Sequence, residues 1–198
     1  MTLAMKRARH FAIAATVWVT LLTPYSIARG QAPTEASVKA AFVLRFVQYV
    51  DWPRETFQQP GSELVICAVG ADAIAAELVQ ASSARTAPSR PIAIRSGKAA
   101  EALPECHVVF IGSEDKARLA QIVAAVRGRP ILTVTETPQA LEHGSMINFI
   151  LEQRRVRFEI STEATEHAGL TVSSRLLAIA MRVRKGELFR LPMASLAE

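Results

Sequence analysis

Cys67 and Cys106 are the only cysteines in the 198 residues, and His107 directly follows the second. Two thiolates and an imidazole are zinc-binding chemistry, provided that the strands bearing them are neighbours. A bridged pair, however, has no thiolate to offer. In an oxidising compartment an even pair with none left over is expected to be bridged. The alternative is two reduced, buried cysteines acting as small hydrophobes. His143 and His167 stand on other segments with no paired spacing, so His107 reads as a residue at a strand entrance. No G-x-S-x-G elbow, P-loop or H-E-x-x-H occurs, and a hydrolytic centre would need His107, Glu136 and His143 to meet only in space. Glu114 and Asp115 fall in the first turn of an expected helix, where the dipole explains them. Gly70 stands alone where a dinucleotide fingerprint needs three glycines, and reads as a strand terminus. The sequence therefore assigns no catalytic residue, no metal ligand and no cofactor.

The elements that carry these residues alternate. "LVICAVG" (64–70), "HVVFIG" (107–112) and "ILTVT" (131–135) are short, continuous apolar runs of the kind found in buried parallel strands. "PIAIR" (91–95) is a fourth strand, and its leading proline suits a strand start or an edge. Helical spacing marks 71–81, where Ile74, Leu78 and Ala81 share a face. It also marks 114–128, with Ser113 as cap and Arg127-Gly128 as stop. "MINFILEQRRVRFEI" (146–160) reads as a hairpin with a polar tip at 152–155. Ser161 and Glu163 open a short helix closed by Gly169. Residues 171–183 read as a last amphipathic helix, with Leu176, Leu177, Ala180 and Val183 inward. The expected fold is α/β: a mostly parallel central sheet, helices on both faces and a C-terminal antiparallel hairpin.

Residues 1–28 read as a cleaved signal peptide. Lys6, Arg7 and Arg9 form its basic region, Phe11–Leu22 its apolar core, and Ser26-Ile27-Ala28 the small residues before cleavage. Gly30 and Ala32 are alternative end points. The apolar run is shorter than the ~20 residues a membrane span needs, so the mature protein is expected to be exported and soluble, in the periplasm. One domain, 33–185, and a loose tail, 186–198, complete the chain. Removing the three basic charges that precede Ala28 from the formal +5 leaves +2. With no aromatic residues among Arg154, Arg155 and Arg157, no nucleic-acid partner is expected.

"VKAAFVLRFVQYVDWP" (38–53) is a helix with almost no polar face. Phe42, Phe46 and Tyr49 can pack on a sheet, but one sheet face covers a single stripe. Val43, Leu44 and Val47 need a second cover, either the 171–183 helix or another protein. Together with Trp52 they form the candidate association surface.

That segment, "CHVVFIG", "ILTVTETPQALEHGSMINFI", "RVRFEI" and "AGLTVSSRLLAIA", in this order and at these spacings, resembles the YfiR family over nearly the whole mature chain. The resemblance implies a non-enzymatic periplasmic regulator without a cofactor. It would bind the periplasmic sensor domain of an inner-membrane diguanylate cyclase and hold it inactive. An outer-membrane lipoprotein can sequester such regulators, raising cyclic di-GMP and biofilm formation, and homodimers are usual. Activity in the family is linked to redox state through cysteines, and the pair concerned falls on Cys67 and Cys106. A second pair that some relatives carry is absent from 145–153, so a mechanism needing two bridges does not transfer. Ser145 and Ser161 stand where Gly and Asn are common. The competing reading is a periplasmic small-ligand sensor acting on a sensor kinase or other membrane receptor, its ligand in the crevice near Gly70, Gly112 and Thr135.

Overall fold

The computed structural model describes residues 32–59, 61–83, 90–97, 103, 105–112 and 116–186. The expected signal peptide, the Ser113–Asp115 helix start and residues 187–198 of the expected tail lie outside them. Thr34 opens the first helix, α1 (Glu35–Tyr49), where its hydroxyl accepts the Ser37 N–H at 3.0 Å. The helix stops before Trp52-Pro53, since a residue preceding proline disfavours helical geometry. Val50–Asp51 becomes β1 instead. Strands β2 (Leu64–Val69), β4 (Val108–Ile111) and β5 (Leu132–Thr135) are buried along their whole length, as their apolar runs require. Between them come α2 (Asp72–Ser83), β3 (Ile92–Gly97) and α3 (Lys116–Val126). The hairpin comes next, as β6 (Ile147–Glu152) and β7 (Arg155–Ser161). Its two-residue tip, Gln153-Arg154, has positive φ at both positions, the twist-compatible turn without the usual glycine.

The main sheet runs β3-β2-β4-β5-β6-β7-β9, where β9 is Arg182–Arg184. Strands β2 to β6 are mutually parallel, β7 is antiparallel to β6, and β9 lies parallel to β7. Helices α1 and α2 cover one face and α3 the other. The α/β architecture with a mostly parallel sheet and a late antiparallel hairpin is therefore as the sequence implies, and Pro91 does precede an edge strand.

The last stretch differs from the expected helix over 171–183. It is β8 (Thr171–Val172), a six-residue helix α5 (Ser174–Ile179) and β9. Before it, Ser161 caps α4 (Thr162–His167) by accepting the Ala164 N–H at 3.2 Å. β8 pairs with β1 in a separate two-stranded sheet, and Ser173 N–H donates to the Tyr49 carbonyl at 2.8 Å. The free edge of β7 captures the chain as it leaves α5, Met181 N–H donating to Phe158 O at 2.9 Å. Unpaired strand edges outcompete a weak helical periodicity.

Candidate functional site

Cys67 lies in β2 and Cys106 two residues before β4, its neighbour, and the two are joined by a disulfide. Alternation along β2 sends Val65, Cys67 and Val69 toward α3, so the bridge sits in the core layer beneath that helix. Both cysteines are buried, beside a small cavity of about 90 Å³ that Arg95, Gly97 and Leu103 also line. Among the described residues no three His, Cys, Asp or Glu side chains gather as a metal site.

His107 packs at the strand entrance. Its Nδ1 accepts the Val65 N–H at 3.0 Å, and its ring stacks on Phe57 with centroids 4.7 Å apart. The Arg90 guanidinium covers the same Phe57 ring at 3.9 Å. Burial, reinforced by the Arg90 charge, holds the His107 pKa below its ordinary 6.5. Glu136 lies just past the opposite end of β5, where Lys39 of α1 donates to it at 2.6 Å. Burial works against the Lys39 charge, but hydrogen bonds to Glu136 and Glu35 outweigh it and raise the pKa above 10.5. His143 is exposed on the turn before β6. The fold therefore does not bring together the three residues a hydrolytic centre would need.

The candidate association surface is rearranged. Val43 and Leu44 are 0% and 1% exposed, in one cluster with α2 and the inner face of the sheet. The second cover is chiefly α2, with α5 adding a smaller contact. Those two side chains have no surface to present, and only Val47 and Trp52 keep partial exposure. At the crevice expected near Gly70, Gly112 and Thr135, the backbones of Gly70 and Gly112 approach closely. A side chain at Gly112 would collide with the Gly70 carbonyl oxygen, 2.0 Å from its Cβ position, and Thr135 is fully buried.

Beyond β4 the α3 side of the sheet is polar. Thr133, Thr135, Asn148, Glu159 and Ser161 alternate inward and are all buried. Thr135 Oγ1 donates to Asn148 Oδ1 at 2.9 Å, Asn148 Nδ2 to Glu159 Oε1 at 3.1 Å, and the Arg182 guanidinium to Glu159 Oε2 at 3.3 Å. A chain of hydrogen bonds thus crosses β5, β6, β7 and β9. Next to it opens a cavity of about 330 Å³. Val123, Val126, Leu141 and Met146 give it an apolar lining, and Thr133 and Ser161 supply hydroxyls. Arg127, Glu142, Glu163, His167 and Arg184 ring the mouth. These residues come from five separate segments, and no spacing in the sequence could have grouped them. The inward polar positions of β5 and β7 were the one available signal.

A conserved domain protein from Vibrio cholerae is similar in structure, with a TM-score of 0.52 and 9% identity over 76% of this chain and 60% of its own. The ABC domain from Streptococcus pneumonia, in complex with L-Trp, gives 0.46 and 7% over 75% and 60%. The chain spans about three fifths of the length of these solved proteins, and at such identities the first likeness concerns the fold alone. A family model described as YfiR/HmsC-like matches residues 36–181. The match runs from the first turn of α1 to the lead-in of β9, taking in the bridge, the polar row and the hairpin. The chain therefore belongs to the YfiR/HmsC-like family.

Proposed function

We propose that this protein is an exported periplasmic regulator that represses an inner-membrane diguanylate cyclase by binding the cyclase's periplasmic sensor domain. The observation that carries the reading is the family match across 36–181; the buried Cys67–Cys106 disulfide fits an oxidising compartment. On this reading residues 1–28 are a leader, 33–185 the regulatory domain and 186–198 a tail. Among the described residues no helix is long and apolar enough to cross a membrane. The protein acts by contact rather than catalysis, as a homodimer, and an outer-membrane lipoprotein relieves repression by sequestering it. Val47 and Trp52 contribute to the contact surface, and the disulfide links that activity to redox state. Deleting the gene should raise intracellular cyclic di-GMP, and restoring it should reverse the rise. An unchanged level would remove the cyclase from the account. The second reading, a small-ligand sensor acting on a sensor kinase or other membrane receptor, is favoured by the cavity beside the polar row.

A further inference from the structure

Thr133 and Ser161 supply the buried hydroxyls of the large cavity's lining, and they are only 1% and 3% exposed. Each hydroxyl oxygen accepts a backbone N–H, Thr133 from Met146 at 3.0 Å and Ser161 from Ala164 at 3.2 Å. Neither hydroxyl proton reaches an acceptor among the described residues. An oxygen entering the cavity can accept from either hydroxyl. Ser161 is also the register partner of Arg184 on β9, which lines the same cavity. A hydroxyl and a guanidinium at one end make a donor pair suited to a carboxylate. Between that end and Thr133, two strands away, lies the apolar lining of Val123, Val126, Leu141 and Met146.

We propose that this cavity binds a small monocarboxylate with an apolar body of about six to eight carbons, a size its volume admits at ordinary packing. The carboxylate lies against Ser161 and Arg184, and the body against the aliphatic side chains. Glu142 and Glu163 at the mouth turn away a second negative charge, which selects mono- over dicarboxylates. The site lies on the α3 side of the sheet, opposite α1, so the proposal is independent of the cyclase reading. Hexanoate is the probe, titrated into the oxidised protein and followed by methyl NMR of Leu141, Val123 and Met146.

The expected result is saturable shifts of those methyls with a dissociation constant at or below about 1 mM. Hexanol, hexylamine and adipate should bind about tenfold more weakly. The exposed substitution Arg184→Gln should weaken hexanoate about fivefold and leave the thermal midpoint of the unliganded protein unchanged. Absent shifts, equal binding of hexanol or hexylamine, or an Arg184→Gln variant that binds hexanoate as well as the parent would each overturn the proposal.

Discussion

Replacing both Cys67 and Cys106 by alanine removes a crosslink between residues 39 apart in sequence. The closed loop contains α2, β3 and the approach to β4, about a fifth of the described residues. On the chain-entropy account a loop of this length is worth ~4 kcal/mol at 25 °C, expressed through the unfolded state. For a chain of this size each kcal/mol moves the thermal midpoint by roughly 2–4 °C, so the loss should reach roughly 8–16 °C. Both sulfurs are buried under α3, so truncation to alanine also enlarges the small cavity beside them. Reduction of the parent with dithiothreitol breaks the bridge without that packing loss. Urea unfolding of the oxidised parent, the reduced parent and the double variant therefore separates the two contributions. The reduced protein should lie between the other two and nearer the variant. If it unfolded within about 1 kcal/mol of the oxidised protein, the loop-closure reasoning would be refuted. Repression that changed while the folded fraction stayed constant would identify the bridge as a switch instead.

His107 makes the fold acid-sensitive. Its folded pKa lies below the unfolded 6.5, so the unfolded chain binds the proton more readily, and the stabilisation present above pH 6.5 is lost as pH falls toward the folded value. His107→Asn, which can still accept the Val65 N–H, should flatten the urea midpoint between pH 7.5 and 5. A parallel decline in both proteins would show that other groups govern acid stability. Asn148→Ala breaks the polar row at its centre and takes the amide donor from the Glu159 carboxylate, which is 7% exposed. The expected cost is about 2–3 kcal/mol in urea unfolding, and a loss below about 0.5 kcal/mol would mean that water replaces the amide.

The legible parts of the fold were those where one physical rule dominates. β2, β4 and β5 are buried on both faces, so they read as unbroken apolar runs, and the hairpin showed its alternation at Val156, Phe158 and Ile160. Ser161 marked the start of α4 by its capping hydroxyl and Gly169 its end by the left-handed backbone that glycine allows. β1 and β8 are two residues each, too short for any period, and β9 is Arg-Val-Arg, which becomes a strand only because β7 leaves an edge open. The bridge was legible from parity and the expected compartment, whereas its burial was not. Val43 and Leu44 show the sharper limit. An all-round apolar helix says that two covers exist, but not whether the second is the chain's own. Here α2, rich in alanine, comes close enough to be that cover.

That packing leaves the two sheet faces unequal, and the inequality decides where function can reside. On the α1 face, Phe42, Phe46, Phe149 and Phe158 interlock with centroids 5.0–6.1 Å apart, and the aliphatic residues of five strands complete a dry core. Such a face has little freedom to respond to a signal. On the other face, α3 packs with inward residues of β2 and β4. The strands from β5 onward instead present hydroxyls, an amide and a carboxylate there, each hydrogen-bonded to a neighbour rather than packed in an apolar core. A polar layer is stable only while its partners stay aligned, so small shifts of β9 would reach Glu159, Asn148 and Thr135 through hydrogen bonds. The disulfide and the large cavity both lie on this side, at α3's contact with the sheet and at the layer's open margin. The face that the fold leaves partly polar is thus the one that carries the bridge, the cavity and the chain of hydrogen bonds, and a signal entering there needs no rearrangement of the aromatic core.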